Sequence, residues 1–314
     1  MVGSSLSWKI SRILIPTAGQ LGRRDLMFVV SLQIGRSCVV AMNAGRDSNH
    51  ITYLRLPKDP NYFFVGPQYH ALHHVDPQNY FSSMFRLLDW VLGSAVTLRG
   101  RRVAMTGSSG AFGQALSKRL ELEPVKCIKP LRFGIEWTYD SYATLAPILA
   151  DTDILIIAHG SKDCHQSSRA NCDSVIAIIE LFKRVRSVSS KPALLPEVWN
   201  VGSEAELHGA WSRQMQHYTR GKRAFVPFAR AYYDDETIVY RHIVPAAFSS
   251  SMGPALVTAR WAAVMALWWI HRGARYVPVT YTGIAYLNYF RFRYYVKPCK
   301  ASTNHVDSED NSIG

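Results

Sequence analysis

Three glycines between an apolar strand and a helical segment constrain this chain more than any other feature. Residues 102–113 read RVAMTGSSGAFG, in which an apolar run is followed by Gly107, Gly110 and Gly113. A pyrophosphate needs close approach of the backbone and free N–H groups at a helix N-terminus, and glycines after a strand provide both. The order of strand, glycine loop and helix therefore predicts a nucleotide site rather than an ordinary glycine-rich turn.

Short apolar runs alternate with helical patterns over residues 101–279. This alternation predicts an α/β fold, a Rossmann-like parallel sheet with flanking helices, over residues 98–280. Residues 1–97 would form a separate helical module before it. Residues 281–314 would form an aromatic, basic segment followed by a polar, disordered tail.

The charge balance limits the partners. The formal net charge is +13, and a basic excess attracts nucleic acid, anionic lipid or acidic ligands. No dense Lys/Arg run occurs, so we do not expect nucleic acid. Tyrosine and phenylalanine alternate with Arg over residues 281–297, which favours a membrane surface. The alternative for that segment is a helix docked on the sheet or on a second subunit.

An apolar stretch at residues 26–42 is interrupted by Gln33 and Arg36. It falls short of the ~18 clean apolar residues that a spanning helix needs. We therefore expect a buried or interfacial segment there rather than a membrane span.

Further motifs follow the glycine loop in the order of a known family. Residues 154–160, ILIIAHG, resemble the fourth strand and Asn-Ala-Gly motif of the short-chain dehydrogenase/reductase family, with His159 in place of Asn. Asn171 stands where that family has a structural asparagine. Residues 197–203, EVWNVGS, resemble the strand that ends at its active-site serine, and residues 218–222, YTRGK, match Tyr-x-x-x-Lys.

The resemblance implies an NAD(P)-dependent oxidoreductase that acts on a carbonyl or hydroxyl. Tyr218 would be the acid/base, Ser203 would orient the substrate and Asn171 would support the site. Lys222 lies one helical turn after Tyr218 on the same face, where its charge would lower the pKa of the phenol. The implied cofactor-binding residues are Thr106, Gly107, Ser108, Ser109, Gly110, Phe112, Gly113, His159 and Gly160.

The catalytic interval departs from the family. Ser203 and Tyr218 lie fifteen residues apart, more than is usual, and Met215 lies where a shorter interval would place the tyrosine. If the alignment is gapless there, the base is missing. The chain would then be a non-catalytic nucleotide-binding remnant, and this alternative stays open.

The nucleotide-binding half also departs from the family. A candidate strand at residues 134–137 follows the strand at 125–128 almost at once, although a parallel crossover needs about a dozen residues. We expect one helix of this half to be absent or replaced. No acid follows residues 125–128, whereas Lys126, Lys129 and Arg132 lie near, which favours NADP over NAD.

A histidine cluster precedes the predicted sheet. His70, His73 and His74 have metal-like spacing, and residues 66–93 resemble the last histidine box of the fatty acid hydroxylase/sterol desaturase superfamily through DPQNY at 76–80 and LDWVLG at 88–93. In that family several such clusters hold two irons. Only His50 lies upstream here, so we expect a truncated remnant with vestigial ligands and no iron. An iron-dependent lipid hydroxylase would need a site completed from elsewhere.

Together the two halves resemble the bifunctional sterol desaturase/short-chain dehydrogenase proteins over roughly residues 49–297. The resemblance implies a lipid-like substrate and a membrane-associated protein on the cytoplasmic face. It leaves open the substrate's identity, the direction of the reaction and whether the chain forms a homo-oligomer.

Overall fold

The computed structural model describes residues 23–42, 53, 56, 58–59, 63–187, 194–209, 213–251 and 253–301. It divides the chain into two units after Thr52. Helix α1, Arg23–Met42, belongs to the first unit, and the side chains of Met27, Phe28 and Ile34 on it are exposed. None of the described helices is both long enough and apolar enough to cross a bilayer.

The second unit, residues 53–314, contains a parallel sheet of six strands in the order β2-β1-β3-β4-β5-β8. Its strands are β1 Arg102–Thr106, β2 Cys127–Leu131, β3 Ile154–Ile157, β4 Glu197–Val201, β5 Val239–Pro245 and β8 Tyr276–Val279. Two short strands, β6 Phe248–Ser249 and β7 Val257–Thr258, pair with each other. The predicted Rossmann-like parallel sheet is confirmed.

Helices flank this sheet and precede it. In chain order they are α2 Pro67–Val75, α3 Leu87–Leu92, α4 Ala111–Leu120, α5 Ala146–Ala150, α6 Ser174–Ser187, α7 Ala205–His208, α8 Gln216–Asp234, α9 Ala259–His271 and α10 Ile284–Phe290. Short 3₁₀ turns cover Ala143–Leu145 and Arg213–Met215, and π-helical turns cover Arg169–Asp173 and Arg291–Tyr295.

The sheet has an apolar core on each face. Along β3, Leu155 joins one core with Phe182 of α6, whereas Ile156 joins the other with Leu116 of α4. All four residues of β3 are buried. A strand covered on both faces consists of consecutive apolar residues, which is why β3 could be predicted from the sequence.

Residues 134–137, which follow β2 directly, do not form a strand of the sheet. Phe133 and Trp137 make only an isolated bridge, so the strand expected at residues 134–137 is wrong. The next strand, β3, pairs with β1 on the side opposite β2, which leaves β2 at the edge of the sheet. This order places a topological switch point at β1, where open α/β sheets bind ligands. Helix α5 lies between β2 and β3, and the expectation that a helix of the nucleotide-binding half is absent or replaced stays a prediction.

Residues 63–97 fold against the sheet domain around a buried carboxylate. Asp89 accepts hydrogen bonds from the Tyr69 hydroxyl (2.8 Å), the Phe81 and Ser82 amides (2.7 and 2.9 Å) and the Ser94 hydroxyl (2.6 Å). The Ala95 amide then donates to the carbonyl of residue 271 at the end of α9. These residues belong to the same compact unit as the sheet, and the module limits of 1–97 stay a prediction.

Replacing Asp89 tests how much this carboxylate stabilises the unit. Asp89→Ala leaves four donors buried without their acceptor, so we expect a loss of about 2–4 kcal/mol in the free energy of unfolding. Asp140→Ala is the matched control, because Asp140 is exposed and pairs with Arg169 at the surface. It should cost less than about 1 kcal/mol. Equal losses in urea unfolding would contradict the role assigned to Asp89.

Candidate active site

A cleft of about 850 Å³ opens at the carboxyl edge of the sheet. It is lined by the glycine loop after β1 and by the chain segments that leave β3, β4 and β5. Parallel strands bring these segments to one edge, so residues far apart in sequence share the cleft. Ser108, Ser109, Phe112 and Gly160 line it as the resemblance implied.

Two glycines of the loop cannot be replaced without moving backbone. Gly107 has φ +66°, and a Cβ there would lie 2.5 Å from the backbone of Ala158 and His159. A Cβ on Gly113 would lie 2.2 Å from the Gly107 carbonyl oxygen. Gly110 begins α4 with no side-chain cap, so the amides of the first turn face the cleft without an internal acceptor. This is the backbone geometry that binds phosphate.

His159 fastens the end of β3 to its neighbours. Its Nδ1 is hydrogen-bonded to Thr106 Oγ1 (2.7 Å) and its Nε2 to Ser174 Oγ (2.9 Å). Burial, and after it the nearby charge of Lys222, lowers the pKa of His159 to about 3. The ring is therefore neutral at physiological pH. Thr106, an implied cofactor contact, is fully buried beneath the loop and holds this histidine instead.

Tyr218, Ser203 and Lys222 meet on one wall of the cleft. Burial raises the pKa of Tyr218 to about 12, and a hydrogen bond with the Ser203 hydroxyl acts in the opposite direction. Lys222 lies one turn further along α8, with its Nζ 5.9 Å from the centre of the Tyr218 ring, and donates to the Val201 carbonyl (2.8 Å). Burial lowers the pKa of Lys222 to about 8.

The long interval between Ser203 and Tyr218 contains structure of its own. Helix α7 and the turn Arg213–Met215 lie between the serine and α8. Met215 also lines the cleft, at the residue before α8, but the side chain hydrogen-bonded to Ser203 is Tyr218. The extra residues thus keep the tyrosine in the first turn of α8 and facing the serine.

Asn171 lies behind the cleft wall, in the π-helical turn before α6. Its Nδ2 donates to the carbonyls of Ser161 (2.7 Å) and Ser167 (2.8 Å). It does not line the cleft. Its side chain stands so close to Gly160 that a Cβ there would lie 2.6 Å from Oδ1. Asn171 therefore holds the loop after β3 through these hydrogen bonds, and its role at the catalytic site stays a prediction.

The carboxylate of Glu206, which lies beneath Ser203, was not predicted from the sequence. Glu206 Oε1 accepts from the Ser203 amide (2.9 Å), while Oε2 lies 2.8 Å from Nε2 of the buried His242. Ser203 Oγ in turn accepts from the Ala205 amide (3.2 Å). The Ser-x-x-Glu spacing of a capping box was the available signal. Glu206 holds the turn that presents the serine.

A cluster of aromatic side chains at the end of β2, the aromatic corner, was also not predicted from the sequence. Phe133 is 51% exposed, and its ring lies 4.5 Å from that of Tyr139 and 5.0 Å from that of Trp137. All three line the cleft together with Arg132, whose guanidinium pairs with Glu136 (2.8 Å). This corner occupies the edge where the missing strand would have paired.

The three predicted metal ligands share helix α2, with ring centroids 4.9–6.3 Å apart. His73 Nδ1 lies 2.9 Å from the carbonyl oxygen of Asn79. Within the part of the chain that the structure describes, no three His, Cys, Asp or Glu side chains form a group that could hold a metal ion. The resemblance of His70, His73 and His74 to a hydroxylase histidine box stays a prediction.

Two solved structures are similar to this chain. A short-chain dehydrogenase from Burkholderia cenocepacia in complex with NADP has a TM-score of 0.50 and 16% identity, over 62% of this chain and 94% of its own. A short-chain dehydrogenase/reductase from Burkholderia phymatum in complex with NAD has a TM-score of 0.50 and 12% identity, over 66% and 99%. The chain has a short-chain dehydrogenase fold.

A curated relative extends the likeness to sequence. A monoglucosyldiacylglycerol epimerase from Synechocystis sp. is 29% identical over 258 residues, which cover 73% of this chain. The matched region is 61% of that protein, so the chain spans less than two thirds of its relative's length. No protein-family model matches the chain.

The neutral His159 should make stability fall in acid. Its pKa is about 3 in the folded protein and 6.5 ordinarily, so below about pH 6.5 the unfolded chain binds a proton that the folded chain excludes. Between about pH 7 and pH 5 this ring should remove about 2 kcal/mol of stability.

Urea unfolding of His159→Asn at both pH values measures this effect. The variant should lose about 2 kcal/mol less than the wild type over this interval. The exposed His165 provides the control, and His165→Asn should follow the wild type. If His159→Asn and wild type lose stability in parallel, the ring is not held neutral.

Proposed function

We propose that this chain is an NAD(P)-dependent oxidoreductase of the short-chain dehydrogenase/reductase type that acts on a hydroxyl or carbonyl of a lipid-like substrate. The observation that carries the proposal is the meeting of Tyr218, Ser203 and Lys222 in a cleft whose opposite side is the glycine loop. A non-catalytic remnant was the alternative if Tyr218 lay away from Ser203. In the structure the Tyr218 side chain is hydrogen-bonded to Ser203, which favours the catalytic interpretation.

The three side chains suit proton transfer at a substrate oxygen. Tyr218 keeps its proton at neutral pH, so in the direction of reduction it can donate to an oxygen that gains negative charge. Ser203 would orient that oxygen. Lys222 is charged below about pH 8 and stabilises the phenolate that remains. In the direction of oxidation the deprotonated form of Tyr218 would accept the proton of the substrate hydroxyl as the hydride leaves the same carbon for the nicotinamide.

The glycine loop fits a dinucleotide. Side chains at Gly107 and Gly113 would collide with backbone, so these positions leave open the space that a pyrophosphate needs, next to the uncapped amides of α4. When bound, the nicotinamide supplies or takes up the hydride. The chain's own part is to hold the phosphates, to orient the substrate oxygen and to move its proton.

The cofactor we infer is NADP rather than NAD. Arg132 follows β2 and lines the cleft, where in this fold the adenosine ribose lies. Glu204 is the one carboxylate among the described residues that line the cleft, and it follows β4 rather than β2. Glu136, close to Arg132 after β2, is paired with that guanidinium (2.8 Å). A guanidinium beside the ribose binds a 2′-phosphate through charge-assisted hydrogen bonds, whereas NAD offers it no such group.

The substrate class follows from the cleft and the relative. Apolar side chains of Met215, Phe248 and Ile284 line the cleft together with Tyr218. The Synechocystis relative is named as an epimerase of a glycolipid, which favours a sugar hydroxyl on a lipid headgroup. Epimerisation is thus a second candidate: oxidation of a hydroxyl followed by reduction from the opposite face leaves the cofactor unchanged overall.

Tyr218→Phe tests the reaction. Removal of the phenolic proton should lower kcat by roughly 100- to 10,000-fold while cofactor affinity stays near that of the wild type. Turnover of a glycolipid is followed by product formation and by the cofactor consumed per product. A net oxidoreductase consumes one cofactor per product, and an epimerase consumes none.

Tyr142→Phe is the control for this experiment. Tyr142 also has a pKa raised to about 12 by burial, but it stacks on Trp137 and does not line the cleft. Its variant should retain activity. If wild-type protein binds NADPH but turns nothing over, or if Tyr218→Phe is fully active, the catalytic assignment fails.

Arg132→Gln tests the cofactor preference. Loss of the guanidinium should weaken NADPH binding about 10- to 100-fold and change NADH binding little, because only NADPH carries the 2′-phosphate. Fluorescence titration with each cofactor measures the two affinities. Lys129→Gln on the exposed side of β2 is the control, since Lys129 does not line the cleft. Equal weakening of both cofactors would rule out a 2′-phosphate contact.

A further inference from the structure

Four aromatic side chains from three separate segments form a continuous row on the surface of the second unit. Trp90 of α3 lies 6.3 Å from Trp268 of α9, and Trp268 lies 4.8 Å from Trp269. Trp269 in turn lies 6.5 Å from Tyr286 of α10. We call this row the aromatic strip.

Exposed apolar side chains flank the aromatic strip at both ends. On α3, Leu87 is 63% exposed, and Leu88, Val91 and Leu92 are exposed beside it. On α10, Leu287 is 65% exposed and Phe290 56%. A contiguous exposed surface made of aromatic and aliphatic side chains marks an interaction site.

The C-terminal helix is anchored, so its exposed residues are not the result of an undocked segment. Tyr289 packs on Tyr276 of β8 with ring centroids 5.2 Å apart, and Phe292 stacks on His242 at 5.2 Å. Ala285 and Asn288 are buried. One face of α10 is therefore fixed to the sheet while the opposite face presents Tyr286 and Leu287 outward. The sequence allowed two interpretations of residues 281–297, a helix docked on the sheet or a membrane contact. The buried face of α10 corresponds to the first, and its exposed face is available for the second.

The charged side chain that contacts the rings of the strip is cationic, and so is the charge of the C-terminal segment that carries most of it. Residues 237–300 contain eight Lys or Arg and no Asp or Glu. The Arg272 guanidinium stacks over Trp268 at 3.7 Å and lies 5.9 Å from the centre of the Trp90 ring. Asp89 is the only acidic residue between Pro77 and Thr97, and its carboxylate is buried among four donors. At the end of α9, Glu123 lies 3.2 Å from His271 Nε2, so this carboxylate is already engaged. The strip thus combines aromatic and aliphatic groups with an excess of cations.

This combination fits an anionic lipid surface better than a second copy of the chain. Rings and long cationic side chains bury their apolar bodies at the headgroup boundary, where the cations meet lipid phosphates. A two-fold dimer would place the same patch on both partners and would bring like charges together. The cleft mouth also adjoins the strip, because Tyr281 and Ile284 line the cleft where α10 begins.

We propose that the aromatic strip docks this protein on an anionic bilayer, with the cleft mouth at the lipid surface. Docking would let a lipid headgroup enter the cleft without the acyl chains leaving the bilayer. The surface is independent of the reaction proposed above, and a chain without catalytic activity would still bind vesicles through it.

Flotation of the full chain with vesicles tests the proposal. Wild-type protein should float with vesicles of phosphatidylcholine and phosphatidylglycerol, and less with phosphatidylcholine alone or at high salt. Leu87→Glu with Leu287→Glu places carboxylates at both ends of the strip and should weaken binding roughly tenfold or more. Ile135→Glu is the control: Ile135 is 68% exposed but lies beyond β2, at the opposite edge of the sheet, and its variant should bind as wild type does.

Three results would overturn the proposal. The wild type could fail to float with anionic vesicles, or the double variant could float as well as the wild type. Alternatively, sedimentation velocity could show a wild-type dimer that the double variant converts to a monomer while vesicle binding is unchanged, which would assign the strip to a second copy. Circular dichroism checks folding, and Leu287→Glu alone serves if the double variant does not fold.

Discussion

The close backbone contact between the glycine loop and the end of β3 is the constraint on which the cleft depends. Gly107 has no space for a Cβ against Ala158 and His159, and Gly113 has none against the Gly107 carbonyl. These contacts set where α4 begins relative to β1, and therefore where its free amides point. The hydrogen bonds that join His159 with Thr106 and with Ser174 hold the same junction from the other side. The position of these amides follows from steric exclusion, without any charged side chain in the loop.

The edge of the sheet shows how a fold can keep its site after losing a unit. With β2 at the edge, the sheet still has the reversal at β1 that creates the cleft. The chain that would have formed another strand and helix folds back as the aromatic corner of Phe133, Trp137 and Tyr139. Trp137 is buried in the core on one face of the sheet. The exposed ring of Phe133 is left facing the cleft.

The histidine motif lies in residues 63–97, a segment whose fold is organised by other side chains. Its histidines lie together on α2, but the groups that organise its fold are the carboxylates of Asp76 and Asp89. Asp76 accepts from Asn79 Nδ2 (2.8 Å) and the Thr97 hydroxyl, and Asp89 gathers four donors from the surrounding turns. Buried carboxylates that accept several hydrogen bonds fix loops without requiring a metal. The segment also carries one end of the aromatic strip, which joins it to α9.

The sequence by itself determined the local parts of this protein. The run from β1 through Gly107 to α4, the fully apolar β3, and the pairing of Tyr218 with Lys222 all depend on residues within a few turns of one another. Glycine sterics, strand burial and the helical repeat act over that range, so these features could be read directly.

Only the tertiary structure decided the rest. Whether Tyr218 or Met215 meets Ser203 depends on how α7 and the following turn fill the interval, and Glu206 acts through His242 on another strand. The depressed pKa of His159 comes from burial by segments distant in sequence. The aromatic strip likewise exists only because α3, α9 and α10 meet. Sequence patterns record which side of one element is apolar, whereas contacts between elements and the burial of charge arise from packing across the whole chain.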